Sequence, residues 1–303
     1  MPQLAVSSFS LHSVLGPISI ERRDDEGALH KHSFDFPRRH TMEEFAAVAR
    51  EKIGVSAVEL CQIQFDAHDD ARIETLRTGL DAAGVKLLTL PIDLGDFGGL
   101  NPQWRAEDEA RTVEWFGIAA KLGARFVRVN AGSPGSTLAD EARPALVESL
   151  QRLSDVARNL GLTLLIENHG GSSSDPAFIT ALLEDVGADR LGLLLDLGNF
   201  EPLVSLSHAR FADPDSDDAG LDFEPLYARI AALAPYATLV HAKSVDPARD
   251  GTPLPDLSRA LSIVADAGYT GDISIEWEGR KGDPWQKTAE VAAQVRAVFP
   301  HLL

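Results

Sequence analysis

The sequence predicts an α/β fold built as a (β/α)8 barrel, and three observations lead to this prediction. Eight short apolar segments alternate strictly with eight longer segments of helical periodicity along the 303 residues. The apolar segments carry Val, Ile and Leu at successive positions, which is typical of strands buried on both faces of a parallel sheet. No repeat, low-complexity run or Pro/Gly-rich linker divides the chain, so we expect a single barrel domain over residues 1–303.

The predicted strands favour a closed TIM barrel over a doubly wound open sheet. An open sheet of that kind carries a glycine-rich phosphate turn after its first strand. Residues 7–14, SSFSLHSV, contain no glycine. The eight predicted strands are Leu4–Leu11, Val55–Cys61, Val85–Ile92, Phe126–Ala131, Leu162–Glu167, Leu191–Leu195, Thr238–Ala242 and Ile273–Trp277.

The predicted helices begin and end at recognisable signals. Thr41 and Glu44 have the spacing of a capping box at the start of the first helix. Gly84, Gly123 and Gly161 follow the next three, where a helix C-cap favours a positive φ. The eight predicted helices are Thr41–Lys52, Ala71–Ala83, Glu107–Leu122, Ala142–Leu160, Pro176–Val186, Phe223–Leu233, Pro255–Ala267 and Pro284–Val298.

Two connections are much longer than the rest. Ser13–His40 and Glu201–Asp222 are both rich in charged residues, and both follow predicted strands. They should therefore lie at the face where barrels of this class place their active sites. Two interpretations stay open for each, an exposed loop without a role or a lid over the site.

Composition and charge narrow the class of partners. The chain has 28 Lys+Arg against 46 Asp+Glu, a formal charge of −18, so binding to nucleic acid or to an anionic membrane surface is disfavoured. No apolar run approaches the roughly 18 residues of a membrane span, and the first residues do not have the pattern of a signal peptide. The single cysteine, Cys61, cannot form an internal disulfide. We therefore expect a cytoplasmic protein, and a homo-oligomer stays open.

Ionisable residues stand at the ends of the last four predicted strands. The fifth strand ends in Glu167, the sixth is followed by Asp196, and the seventh and eighth carry His241 and Glu276. Polar groups are costly inside a barrel unless they are paired or bind a metal. The ends of parallel strands converge on one rim, so four such residues on consecutive strands indicate a common site. Three carboxylates and one imidazole suit Mn²⁺ or Mg²⁺, with Co²⁺ or Zn²⁺ as alternatives.

Other residues near these strand ends are candidates for catalysis or for substrate binding. His169 follows Glu167 by two positions and has a side chain suited to general acid–base catalysis near neutral pH. Lys243 could hold a substrate oxygen, or it could pair with Glu278 or Asp246.

Three further positions are weaker candidates for substrate contacts. Asn199 follows Asp196 by three positions, and Glu59 lies on the second strand, where it could instead pair with another polar group. Trp104 could stack on a sugar face, or it could pack at the start of a helix. Cys61 has no neighbouring cation, so we expect a buried and inert thiol.

The chain resembles the sugar isomerase/epimerase superfamily of xylose isomerase-like TIM barrels, which includes ketose 3-epimerases, inosose dehydratases and endonuclease IV. The matching stretches are VELC, IENHGG, LDLGN, VHAKS and SIEWEG, and the likeness extends from Leu4 to about Phe299. The resemblance implies that one divalent ion is held by four ligands and that the first and last of them also form an acid–base pair. The implied ligands are Glu167, Asp196, His241 and Glu276.

The resemblance implies a metal-dependent isomerase or epimerase that acts on a keto-sugar through a metal-stabilised enediolate. The alternatives are a lyase or dehydratase on a keto-sugar, keto-glycoside or keto-polyol, a nuclease like endonuclease IV, and a non-catalytic sugar-binding barrel. Ketose epimerases carry His where this chain has Asn199 and Arg where it has Pro247. Few Lys or Arg residues lie near the strand ends, which favours an unphosphorylated sugar.

Overall fold

Each predicted strand is present, and all eight lie in one closed parallel sheet. The computed structural model describes residues 1–24, 26–67, 69–132 and 138–302. Around the barrel the strand order is β1-β10-β9-β8-β7-β6-β5-β4, while β2 and β3 form a separate antiparallel hairpin. The strands are β1 Leu4–Ser7, β2 Ile18–Arg23, β3 Leu29–Phe34, β4 Ala57–Glu59, β5 Lys86–Pro91, β6 Phe126–Val129, β7 Thr163–Glu167, β8 Leu191–Asp196, β9 Ala237–Ser244 and β10 Asp272–Trp277. The (β/α)8 prediction is confirmed.

Helices follow the barrel strands and surround the sheet. The capping box of Thr41 and Glu44 is present, and Gly84 and Gly123 end their helices at φ of 61° and 79°. None of the helices in the described ranges has the length and apolar character needed to cross a membrane. Within those ranges the helices are α1 Met42–Ile53, α2 Asp70–Ala83, α3 Pro102–Leu122, α4 Arg143–Asn159, α5 Pro176–Val186, α6 Leu203–Ala212, α7 Glu224–Leu233, α8 Leu257–Asp266 and α9 Pro284–Val298.

Two element boundaries differ from the prediction by four residues or more. The first strand ends at Ser7 rather than Leu11, because the Ser7 side chain accepts a hydrogen bond from the Phe9 amide and starts a 3-10 turn. The third helix begins at Pro102, five residues early, because the Asn101 side chain caps two amides there.

Both long connections contain secondary structure that the prediction lacked. The first folds into the β2–β3 hairpin and the second contains α6. Neither segment is therefore irregular along its whole length, and a role as a lid stays a prediction. The segment Ile18–Arg23 reads ISIERR, and its alternation of apolar and polar residues is the usual signal of a half-buried strand.

The inward-facing side chains form an apolar layer in the barrel, and a polar layer lies beyond it. Residues two apart on a strand point in the same direction, and on several strands an apolar residue is followed two positions on by a polar one nearer the carboxyl end. Leu165 precedes Glu167, Leu194 precedes Asp196, and Leu239 precedes His241. The apolar layer consists of Ala5, Ala57, Leu88, Phe126, Leu165, Leu194 and Leu239, all buried. This arrangement places the ionisable residues at one end of the barrel.

Candidate metal centre and substrate pocket

Three of the four predicted metal ligands approach a common point. The ligand atoms of Glu167, Asp196 and His241 all lie within 4.8 Å of one another, and all three residues are buried. His241 Nδ1 lies 3.7 Å from Asp196 Oδ2 and 4.0 Å from Glu167 Oε1. Glu276 contributes an oxygen 2.7 Å from the same nitrogen. The structure therefore brings all four residues to the Nδ1 edge of one imidazole ring.

The donor set fits a divalent cation of the harder kind. Oxygen ligands lie about 2.0 to 2.6 Å from such an ion, so atoms within 4.8 Å of one another can share it. Asp196 Oδ2 is buried and has no hydrogen bond, with His241 Nδ1 at 3.7 Å and Lys243 Nζ at 3.6 Å. A buried carboxylate oxygen in that position needs a cation. The ligand assignment itself stays a prediction.

Glu59 lies on the opposite side of the His241 ring, outside the substrate pocket. Its Oε2 is 2.9 Å from His241 Nε2, and the side chain is completely buried. Burial raises the pKa of Glu59, but the His241 charge outweighs it and the pKa is lower than usual. The structure therefore does not place Glu59 where it could touch substrate. A carboxylate on the second ring nitrogen instead fixes the tautomer and orientation of a metal-binding histidine.

Arg128 is a site residue that sequence reasoning missed. It is the one charged residue of β6, it is buried, and its Nε lies 2.8 Å from Glu167 Oε2. Its guanidinium also contacts Asp93 closely, and Asn130 Nδ2 donates to Asp93 Oδ1 at 2.9 Å. Burial disfavours the charged guanidinium, but Asp93 and Glu167 keep the pKa of Arg128 above its usual value. A single charge inside the apolar segment FVRV was the signal for this residue.

Burial and neighbouring charges separate the pKa values of Glu167 and Asp196. Burial raises the pKa of Glu167 to about 8, against the opposing effects of Arg128 and His241. Burial also raises the pKa of Asp196, but the Lys243 ammonium and His241 outweigh it and hold the value below normal. The carboxylates of β7 and β8 therefore differ in proton affinity because their surroundings differ.

Lys243 and Asn199 form a hydrogen-bonded chain that reaches Glu167. Lys243 Nζ donates to Asn199 Oδ1 at 2.8 Å, and Asn199 Nδ2 donates to Glu167 Oε1 at 3.1 Å. Lys243 also pairs with Glu278 Oε1 at 2.7 Å. Burial disfavours the charged ammonium, yet Asp196 and Glu278 keep the pKa of Lys243 above its usual value. The predicted pairing of Lys243 with Glu278 is present, and the one with Asp246 is not.

A cavity of about 330 Å³ opens next to these residues and has two unlike walls. Its polar wall includes five of the predicted metal-site and substrate residues, namely Glu167, Asn199, His241, Lys243 and Glu276. The opposite wall is apolar. It is formed by Phe9, Ile18, Ile20, Cys61, Ile63 and Phe211. A volume near 330 Å³ is at the small end of the range for ligand pockets, roughly 300 to 1,000 Å³.

His169 lies in this pocket, and Trp104 does not. Burial lowers the pKa of His169 to about 4, and its Nδ1 is buried without a hydrogen bond. The ring is therefore neutral at pH 7 and retains an unused nitrogen. Trp104 stands in the first turn of α3, with its ring beneath Arg23 and close to Gly27 of the hairpin turn. The structure thus does not support a Trp104 contact with substrate, because the ring packs at a helix start.

The two long connections supply the apolar wall and the mouth of the pocket. The hairpin places Ile18, Ile20 and Arg22 there, and α6 places Ser207, His208 and Phe211 there. Cys61 is buried near Ser7, and burial raises the pKa of its thiol to about 12, so it is unreactive as predicted.

His12 joins the hairpin to α6 within an aromatic cluster. Its ring centroid lies 5.3 Å from Phe9, 5.1 Å from Phe36 and 5.7 Å from Phe211. Burial lowers the pKa of His12, although the Phe9 carbonyl, 3.0 Å from Nδ1, opposes this. The cluster therefore holds a neutral imidazole where the two pocket-forming segments meet.

We expect acidification to destabilise the fold through His12. Its folded pKa lies below the unfolded value near 6.5, so the unfolded chain takes up the proton first. The contribution of His12 to the free energy of unfolding is complete above pH 6.5. It is lost as the pH falls towards the folded pKa, by at most about 1.4 kcal/mol per pH unit. When urea unfolding is measured between pH 7.5 and 5, the free energy of unfolding should depend less steeply on pH in His12→Phe than in the unaltered protein. His301→Gln, an exposed control, should keep the slope of the unaltered protein, and equal slopes in all three would contradict the assignment.

The chain belongs to the xylose isomerase-like TIM barrel family, whose model matches residues 45–298. The predicted resemblance is confirmed. Curated protein sequences contain no match to the chain.

Several solved structures share the fold at low sequence identity. An L-ribulose 3-epimerase is 16% identical with a TM-score of 0.67, covering 99% of this chain and 97% of its own. A xylose isomerase-like TIM barrel protein from Mycobacterium smegmatis, in complex with magnesium, is 19% identical with a TM-score of 0.63 and the same coverage of 99% and 97%. A 3-keto-D-glucoside 4-epimerase from E. coli is 17% identical with a TM-score of 0.59, covering 84% of this chain and 94% of its own. At such identities the likeness establishes the barrel fold.

Proposed function

We propose that this protein is a divalent-metal-dependent isomerase or epimerase that acts on a keto-sugar. The observation that carries the proposal is the position of Glu167 and Glu276. They come from strands three places apart in the barrel, and both reach the Nδ1 edge of His241 at the polar wall of a monosaccharide-sized cavity. Structural neighbours include a D-psicose 3-epimerase and an L-ribulose 3-epimerase, and their names support a sugar as the substrate class.

Two carboxylates at one site can move a proton between the faces of a planar intermediate. One carboxylate removes the proton from the carbon next to the carbonyl, and the electron pair left behind forms an enediolate. The other, as a carboxylic acid, returns a proton to the opposite face. Glu167 and Glu276 would take these roles, and a divalent ion held by them with Asp196 and His241 would supply Lewis-acid polarisation of the substrate oxygens.

The remaining polar residues of the pocket would position the substrate and the catalytic carboxylate. Asn199 holds Glu167 Oε1, and Lys243 holds Asn199, so this chain fixes the direction of one carboxylate oxygen. The neutral His169 ring offers a nitrogen to a sugar hydroxyl. These contacts would lock the sugar relative to both carboxylates, and such positioning accounts for a large share of enzymatic rate enhancement.

Solvent-deuterium exchange tests the proposal directly. The protein is incubated in D₂O with Mn²⁺ or Mg²⁺ and a panel of ketohexoses, ketopentoses and 3-keto-glycosides. Exchange at the carbon next to the carbonyl, together with a new epimer or isomer, is the expected result. Exchange accompanied by release of a leaving group would indicate a lyase instead. No exchange across the panel, with the metal shown to be bound, would overturn the proposal.

Removing the carboxylate behind His241 should weaken metal binding without removing a ligand. We expect Glu59→Gln to lower Mn²⁺ affinity 10- to 100-fold, because Glu59 orients His241 through Nε2. Calorimetric titration of the metal-free protein with Mn²⁺ measures this effect. Glu290→Gln, an exposed change on α9, should leave the affinity unchanged. Equal affinities for Glu59→Gln and the control would contradict the role given to Glu59.

A further inference from the structure

Arg22 presents an unpaired positive charge at the mouth of the pocket. In the hairpin register Arg22 lies opposite His30, and Ile20 lies opposite His32. Alternate residues of a strand share a face, so Arg22 points to the same side as Ile18 and Ile20, which line the cavity together with it. Across the ranges that the structure describes, no carboxylate pairs with Arg22 and no hydrogen bond involves its guanidinium.

Three acidic groups around Arg22 are already paired with other cations. Three carboxylates that line the pocket or the small cavity beside it each contact a different arginine or lysine. These pairs are Asp93 with Arg128, Glu278 with Lys243, and Glu21 with Arg111. Arg22 therefore stands beside acidic groups that other cations already contact, in a chain with a net charge of −18. It is available for a group that the protein itself does not supply.

His208 faces the same opening from α6. It lines the same cavity as Arg22, and burial lowers the pKa of its ring. Its neighbour Ser207 is engaged, because Ser207 Oγ donates to Glu278 Oε2 at 2.9 Å. Among the described residues nothing forms a hydrogen bond with the His208 ring. Two nitrogen donors from different segments thus flank the mouth, at the end away from the apolar layer of the barrel.

We infer that Arg22 and His208 bind a terminal anionic group of the substrate, a carboxylate or a phosphate. The inference rests on the proposed function and narrows its substrate to an acidic keto-sugar. The reacting carbons of such a molecule lie against the polar wall near His241, and its charged end reaches the mouth. The scarcity of cations at the strand ends had favoured an unphosphorylated sugar. Arg22 is absent from that count because it belongs to the hairpin.

The chemistry of the pair suits an oxyanion. A guanidinium presents parallel N–H donors that match two oxygens of a carboxylate or phosphate, and a neutral imidazole adds a third donor. A charge-assisted contact of this kind at a partly exposed site changes affinity by about 10- to 100-fold. A cavity of about 330 Å³ accommodates a six-carbon sugar with one such group.

Binding of three ligands that differ only at carbon 6 tests the inference. The Mn²⁺-loaded protein is titrated calorimetrically with D-fructose, D-fructose 6-phosphate and D-fructuronate at one ionic strength. We expect at least one anionic ligand to bind 10-fold or more tightly than D-fructose, and the better of the two identifies the anion. In Arg22→Gln the ratio of the affinity for the anionic ligand to the affinity for D-fructose should fall towards one, and in Arg22→Lys it should fall partway. Arg39→Gln is the matched control, an exposed arginine of the same connection that does not line the cavity.

The outcomes separate this inference from the proposed function. A ratio near one in the unaltered protein, a ratio that survives in Arg22→Gln, or no binding of any of the three ligands would each overturn the inference. His208→Gln should lower the ratio by a smaller factor, about threefold to tenfold. Deuterium exchange on neutral keto-sugars without anion preference would leave the proposed function standing alone. Anion-selective binding that depends on Arg22, without exchange on any keto-sugar, would support Arg22 as an anion-binding residue and contradict the proposed function.

Discussion

Glu276→Gln is expected to slow deuterium exchange on any accepted keto-sugar by about 10²- to 10⁴-fold, the range typical for loss of a general acid or base. The amide is nearly isosteric but cannot carry the proton. It also gives up the contact of the carboxylate oxygen with His241 Nδ1, which is 2.7 Å long. The rate of exchange at saturating substrate, followed by NMR, measures the effect.

A control and a fold test accompany this variant. Glu51→Gln makes the same chemical change on the exposed side of α1, and we expect the rate of the unaltered protein. Near-ultraviolet circular dichroism should show that Glu276→Gln keeps its tertiary packing. A folded, metal-loaded Glu276→Gln protein that exchanges at the normal rate would exclude Glu276 from proton transfer.

Arg128→Met is expected to cause the largest loss of stability, about 3 to 5 kcal/mol. The change removes the one cation that contacts both Asp93 and Glu167, and it leaves two buried carboxylates without it. Urea unfolding at pH 7.5 measures the loss. Arg77→Gln, which removes an exposed pair with Glu74 on α2, should change the free energy of unfolding by no more than about 0.5 kcal/mol.

The pH dependence distinguishes loss of charge pairing from loss of packing in Arg128→Met. Arg128 helps to hold the pKa of Asp93 well below its usual value, against the effect of burial. Without it the carboxylates favour protonation in the fold, so the stability deficit should shrink as the pH falls from 7.5 towards 5. A deficit that stays constant over that range would indicate lost packing alone. Arg128→Lys, which keeps the charge, should recover part of the stability if the methionine variant fails to fold.

Much of the candidate metal centre could be predicted from local sequence, because parallel strands in a barrel bring their carboxyl ends together. Glu167, Asp196, His241 and Glu276 each follow an apolar segment, and this common position was enough to place them at one site. The same pattern contained Arg128, whose charge interrupts FVRV. The ionisable residues used for the prediction stand on the last four strands, whereas Arg128 lies on the strand before them.

Where a residue's role depends on the direction in which its side chain points, the sequence could not predict that role in the same way. Glu59 also ends a strand, yet its side chain contacts Nε2 of His241 and does not line the cavity. Trp104 had the chemistry for sugar stacking, but it packs against the hairpin turn at Gly27. A sequence pattern states which face of a strand a residue occupies, and it does not state what lies opposite.

The order and spacing of apolar and helical segments were sufficient to predict the barrel and its ring of ionisable residues, since both follow from periodicity along the chain. The part of the cavity wall that the two long connections form could not be predicted in this way. Ile18, Ile20 and Arg22 meet His208 and Phe211 only when two connections, far apart in sequence, fold over the same opening. Such contacts arise from packing between distant segments. Local sequence propensity does not specify such contacts. The shape of the pocket and the position of Arg22 in its lining are therefore decided by the tertiary structure.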